Sequence, residues 1–140
     1  MCGIAGFLRI RPERSEPLTQ TVAEQITHAI WRRGPDGEGH WRSQDNLCWL
    51  GHRRLAIIDL ATGDQPMSND DGTIWTVFNG EIYNFKSLRA ELIESGHQFK
   101  TASDTEVLVH GYEQWGGPGL LKRLQGIFAF AIYDTKAKKL

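Results

Sequence analysis

A cysteine stands directly after the initiator methionine, at Cys2. Its small side chain favours removal of Met1, which would leave a thiol and a free α-amine on one residue. A thiolate is a strong nucleophile. An α-amine with an ordinary pKa of ~7.7–8.0 is partly unprotonated near neutral pH and can accept a proton. Nucleophile and base would then share the first residue. Taken alone, the position also suits an ordinary small core cysteine. Gly3 and Gly6 let backbone or substrate approach closely, and Ile4, Ala5, Phe7 and Leu8 read as a buried strand. Such a strand would pin a reactive terminus against fraying.

Other stretches carry weaker chemistry. Arg33-Gly34-Pro35-Asp36-Gly37-Glu38-Gly39 is a three-glycine loop without the G-x-x-x-x-G-K spacing of a phosphate loop, so it reads locally as a helix stop and a turn. Asn79-Gly80 is the strongest short hairpin signal, with residues 73–78 as one strand and Glu81-Ile82-Tyr83 as its return. Locally, Glu81 is then a solvated hairpin charge. Asp104 lies in Ser103-Asp104-Thr105-Glu106, a capping-box pattern, and reads as an acid opposing a helix dipole. The cysteines Cys2 and Cys48 and five dispersed histidines predict neither a disulfide framework nor a zinc site. A metal held by Cys2, Cys48 and His52 is the one arrangement left to test.

The elements that must position these groups follow from periodicity. Leu18, Val22, Ile26, Ala29 and Ile30 recur at helical spacing, up to the stop at Gly34-Pro35. Residues 47–59 read as one bent strand or two, with Gly51 as a bulge. Asn84 caps a helix through Leu88, Leu92 and Ile93 that stops at Gly96, and Phe99 lies on a short strand. The Ser103 box opens a helix with Leu108, Tyr112 and Trp115 on one face, which ends at Gly116-Gly117-Pro118. Leu120, Leu121 and Leu124 support one more short helix. Residues 127–133 form an almost unbroken apolar run, the pattern of a strand covered on both faces. Strands and helices mix without regular βαβ alternation, which predicts antiparallel sheets between helix layers.

The chain has 140 residues, enough for one core, with 40% hydrophobic and 24% charged residues. The net charge of −1, with basic residues scattered, argues against a nucleic-acid or membrane-surface role. No apolar run is long enough to span a bilayer, and no signal peptide is legible. A reducing cytoplasm is the expected compartment. Residues 134–140 read as a hairpin turn whose return strand has barely begun, which predicts a fragment of a longer protein.

Six motifs stand in order: Cys2-Gly3-Ile4-Ala5-Gly6, Arg33-Gly34-Pro35-Asp36, Arg54-Leu55-Ala56-Ile57-Ile58-Asp59, Asn79-Gly80-Glu81-Ile82-Tyr83-Asn84, the Ser103 box, and Gln125-Gly126-Ile127-Phe128-Ala129-Phe130. Together they resemble the N-terminal glutaminase domain of glutamine-hydrolysing asparagine synthetases over nearly the whole chain. Amidotransferases making glucosamine phosphate or phosphoribosylamine look similar at Cys2 but carry a different arginine motif.

The resemblance implies an α+β fold, a four-layer αββα sandwich of two antiparallel sheets of the N-terminal-nucleophile hydrolase type, incomplete at the C-terminus. It implies Cys2 as nucleophile and Asn79 with the Gly80 N–H as oxyanion donors. It also implies glutamine bound by Arg54, by the backbone of Leu55, Ala56, Ile57 and Ile58, and by Asn79, Gly80, Glu81 and Asp104. Arg54 competes with Arg53 for the substrate carboxylate, and the motif selects Arg54. The loop at residues 33–39 would close over the substrate. No metal or cofactor is expected for this half. ATP and magnesium belong to a synthetase domain in cis, which receives the ammonia to make asparagine from aspartate. A homodimer is compatible with the family. The rival expectations are the same glutaminase feeding another acceptor, and a non-catalytic binding domain of the same fold.

Overall fold

The computed structural model describes residues 2–14, 16–55 and 63–140. Its first sheet has the order β1-β3-β2, built from β1 (Gly3–Leu8), β2 (Gly37–Arg42) and β3 (Cys48–Arg54), all antiparallel. Ser43 closes the β2–β3 turn. Its hydroxyl accepts from the N–H groups of Leu47 and Cys48 at 3.1 and 2.9 Å and donates to Asp45 at 2.7 Å. The second sheet has the order β4-β5-β6, from β4 (Met67–Ser68), β5 (Ile74–Ile82) and β6 (Gly126–Asp134), also antiparallel.

Side-chain alternation along the strands fills two separate cores. Cys48 and Leu50 from β3 meet Val77 and Tyr133 between the sheets, with Ile4, Leu8, Trp41 and Trp75 around them. Phe78 and Ile82, on the opposite face of β5, pack against α2 (Phe85–Glu94) and α3 (Glu106–Leu121) through Leu88, Leu92, Val107, Leu108 and Leu120. Fully burying one such leucine stabilises by about 1.5–3 kcal/mol. Helix α1 (Gln20–Ala29) covers the outer face of the first sheet, capped by Thr19, whose side chain accepts from Val22 N. The order of layers is therefore helix, sheet, sheet, helix, the sandwich the resemblance implies.

Several local expectations give way to tertiary pairing. Asn79-Gly80 is not a hairpin turn. Strand β5 runs straight through it, because β6 pairs with all of β5, from Ile74 opposite Asp134 to Ile82 opposite Gly126. The 33–39 loop is shorter than expected. A 3-10 turn covers Trp31–Arg33, and β2 begins at Gly37, held by β3 despite weak strand propensity of its own. Gly51 makes no bulge and pairs in register with Ala5 and His40. Phe99 lies on no strand and packs into the helix core under the Arg89 guanidinium, 4.3 Å away.

Ser103 and Glu106 do not form the reciprocal box. Glu106 instead closes the preceding loop, accepting from Lys100 N and Thr101 N at 2.7 and 2.8 Å. Strand β6 packs on both faces only in part, and Ile127 is 70% exposed. The interruption after Trp115 is real: α3 breaks at Gly116, where φ is 65° and ψ 173°. Residues 135–138 turn back as expected, with Asp134 N–H donating to Lys139 O at 2.9 Å.

Candidate active site

Strand pairing brings the terminus to the end of β3. Gly3 lies opposite Arg53, so Cys2 comes beside the exit of the strand at Arg54 and Leu55. The Leu55 N–H donates to Cys2 Sγ at 3.4 Å, and Sγ lies 3.6 Å from Leu55 O. Arg33 Nε donates to Cys2 O at 3.3 Å, so the 3-10 turn after α1 ties down the same residue. The thiol is half-buried and positioned from two sides.

Across from it, β5 presents its inner face. Trp75 and Val77 of that face lie between the sheets, and Asn79 and Glu81 continue the same alternation. A cleft of about 280 Å³ collects Cys2, Arg54, Leu55, Asn79, Gly80, Glu81 and Asp104. Ala56, Ile57 and Ile58 lie outside the described residues. Gln65, Tyr83, Ser103, Thr105, Ile127 and Gly63 also line the cleft, and sequence reasoning missed them. For Gln65 the only available signal was its place in a turn-rich stretch before Pro66.

The two arginines separate by alternation. Arg54 lines the cleft, its Nη1 2.9 Å from Asp64 Oδ1. Asp64 is an exposed partner, and an exposed ion pair contributes only about 0–1 kcal/mol, so a ligand carboxylate can compete for the guanidinium. Arg53 points away from the cleft and is used structurally, with Nε donating to Gly34 O at 3.1 Å and Nη1 pairing with Glu38.

Asp104 is buried and accepts from Ile82 N at 3.0 Å. Burial pushes its carboxyl above the usual range, and the Glu81 charge adds to this against the opposing backbone hydrogen bonds. Two acids crowded this way suit a bound ammonium, which would relieve both. The Asn79 Oδ1 is buried and has no hydrogen-bond partner among the described residues. Gly80 cannot carry a side chain here, because a Cβ would lie 2.2 Å from Ile127 O.

Cys2, Cys48 and His52 do not meet as metal ligands. Cys48 is sealed between the sheets, and burial pushes its thiol up to about 12. His52 is buried and held neutral, its pKa pushed down to about 4 mainly by burial. Among the described residues, His97, His110 and Glu113 form the cluster with metal-type side chains. There His110 lies 3.5 Å from Glu106 and 3.3 Å from Glu113, one carboxylate on each ring nitrogen. Although burial opposes it, these acids raise the His110 pKa. Both ring nitrogens of His110 therefore already face a carboxylate.

Two antiparallel sheets between helix layers, with a cysteine entering the first strand and opening on an inter-sheet cleft, define the N-terminal-nucleophile amidotransferase class. Residues 1–140 match the family described as the glutamine amidotransferase domain, and the chain belongs to that family. It is 42% identical over 139 residues to asparagine synthetase [glutamine-hydrolyzing] 2 of Bacillus subtilis, covering 99% of this chain and 18% of that protein. It is 43% identical over 138 residues to asparagine synthetase [glutamine-hydrolyzing] 3 of Arabidopsis thaliana, covering 99% of this chain and 23% of that protein. The chain thus spans about a fifth of the length of these relatives. A solved glutamine phosphoribosylpyrophosphate amidotransferase from B. subtilis superposes with a TM-score of 0.64 at 25% identity, over 96% of this chain and 35% of that one. No helix among the described residues is long and apolar enough to cross a membrane.

Proposed function

We propose that this domain hydrolyses glutamine to glutamate and ammonia through a thioester on Cys2. The observation that carries this is one cleft holding the thiol, a guanidinium, a carboxamide and two acids, each matched to a part of glutamine. Arg54 suits the α-carboxylate, by a bidentate contact that replaces Asp64. Glu81 and Asp104 suit the α-ammonium. The side-chain amide then extends toward Cys2 and Asn79.

With Met1 removed, the Cys2 α-amine takes the thiol proton, directly or through a water. The thiolate, positioned by the Leu55 N–H, attacks the side-chain carbonyl carbon, and the carbonyl oxygen becomes an oxyanion. The Asn79 side-chain amide and the Gly80 N–H stabilise that charge, one such donor being typically worth ~2.7–4 kcal/mol. The C–N bond breaks as the leaving nitrogen takes the proton back, and ammonia departs. Water attacks the thioester with the amine again accepting a proton, and glutamate and the thiol are released. None of these steps needs a metal or cofactor.

The ammonia would serve asparagine synthesis from aspartate in an ATP- and magnesium-dependent region in cis, in the cytoplasm. Identity of 42–43% to asparagine synthetases favours this acceptor over others. The test is glutamate release by the wild-type chain and by Cys2→Ala. Release is expected only from wild type, and activity retained in Cys2→Ala would refute the nucleophile. Intact-mass measurement gives a second check, since a fully active chain still carrying Met1 would remove the amine from the mechanism.

A further inference from the structure

Among the described residues, no strand pairs with one edge of β5 where the cleft opens. β4 pairs with Thr76 and Trp75, and beyond that point side chains meet the edge facing away from β6. Backbone N–H groups of a strand point alternately to its two edges. On this edge, Phe78 N–H donates to Gln65 Oε1 at 2.6 Å and Ile82 N–H donates to Asp104 Oδ2 at 3.0 Å. Gly80 lies midway between them with the same parity, so its N–H faces the same edge, and Gly80 lines the cleft. Gln65 uses its other end as well: Nε2 donates to Thr105 Oγ1 at 3.3 Å, next to Asp104. One carboxamide therefore joins the strand carrying Asn79 and Gly80 to the turn carrying Asp104.

We propose that Gln65 is a positioning residue for oxyanion stabilisation, taking up the Phe78 N–H as a strand partner would and so holding the Asn79 side chain and the Gly80 N–H toward the cleft. This rests on the glutaminase reading above. A strand edge presents its N–H groups outward, and the Gln65 carboxamide takes one of them at Phe78. Gly80, with φ at 154° and no side chain, cannot fix its own orientation. Oxyanion donors act through preorganisation, and a displacement of about 1 Å can cost ~10²-fold in rate. Gln65 is itself held from behind. A Cβ on Gly39 of β2 would lie 1.9 Å from Gln65 O, so the first sheet presses directly on the Gln65 backbone. The Gln65 side chain bonds to protein at both ends, through Oε1 to Phe78 N–H and through Nε2 to Thr105, which is why the role is positioning and not substrate contact.

The experiment compares wild type, Gln65→Ala and Gln65→Glu in steady-state glutamine hydrolysis, with thermal unfolding as a fold check. A parallel assay measures inhibition by the aldehyde analogue of glutamine. The Cys2 thiol adds to that aldehyde carbonyl, and the resulting tetrahedral hemithioacetal places its oxygen where the oxyanion forms. Gln65→Ala is expected to lower kcat about 10- to 100-fold with KM for glutamine within about twofold, and to weaken the aldehyde in parallel. Gln65→Glu keeps an acceptor for Phe78 N–H and should recover part of both losses; it carries the test if Gln65→Ala does not fold. Unchanged kcat, a rise in KM alone, or a fall in kcat without weaker aldehyde binding would each overturn the proposal. A wild-type chain that releases no glutamate would instead overturn the glutaminase reading.

Discussion

The Leu55 N–H and Cys2 Sγ are 3.4 Å apart, a contact between residues 53 positions apart in the sequence. The end of one strand thereby holds the nucleophile at the start of another. Cys48 lies in the same sheet but is sealed between the two sheets, with burial and then the Asp45 charge raising its thiol to about 12.

The two thiols should therefore differ in reactivity. A glutamine-like chloroketone applied to the folded protein near pH 8 is expected to add once per chain, at Cys2, with glutamine protecting. Peptide mapping checks the site. Labelling of Cys48 at a comparable rate would contradict the assignment.

Asn79→Ala should lower kcat by about 10²–10³-fold with little change in KM, because the donor acts on charge that exists only in the transition state. Gly80→Ala should fail differently. Its Cβ would strike Ile127 O and the Phe128 backbone, both in strand β6 and unable to move aside cheaply. A loss of about 1–3 kcal/mol in unfolding free energy, measured by denaturant unfolding, is expected alongside loss of activity.

Asp104 gives a pH test with a definite sign. Burial raises its folded pKa, so the folded state binds its proton more tightly than the unfolded chain. This contribution to stability is present below the ordinary carboxylate range and is lost as pH rises through the raised value. Asp104→Asn keeps an acceptor for Ile82 N–H and should abolish that component, read as the wild-type-minus-variant difference in unfolding free energy against pH. KM for glutamine should rise on acidification in wild type as the ammonium loses its partner. Asp104→Asn should show a high KM at all pH values.

His52 works in the opposite sense. Its pKa falls from 6.5 to about 4, chiefly through burial. Stability from this group is complete above pH 6.5 and is lost as pH falls through about 4. The full effect is about 3 kcal/mol at 1.36 kcal/mol per pKa unit. His52→Gln should flatten this part of the acid limb, measured by denaturant midpoints between pH 7 and 4. An unchanged limb would show that the imidazole charges without strain in the folded protein.

Local rules placed α2 and the core of β3 because their apolar positions coincide with their burial, at Leu88 and Leu92 and from Cys48 to Leu50, whereas α1 forms as expected but buries Ala23 and Thr27 and leaves Val22 and Ile26 exposed. They failed at Asn79-Gly80 because a turn propensity of two residues competes with a partner strand that pairs all along β5. They failed at β2 for the same reason in reverse, since Gly37-Glu38-Gly39-His40 has little strand propensity and takes its conformation from β3. Arg53 and Arg54 were inseparable by chemistry; strand alternation sent one to the cleft and the other to Glu38. Gln65 carried no motif of its own, and its role depends on two bonds to residues 13 and 40 positions away.

The order of residues by itself determined the reactive groups: a cysteine able to become the first residue, an arginine, a carboxamide and two acids, and the apolar patterns that build sheets and helices around them. Only the tertiary structure decided which of those groups share a cleft and which backbone donors face it. Side-chain type is a property of one position, whereas the direction of an N–H or a guanidinium depends on strand pairing between segments far apart in the chain.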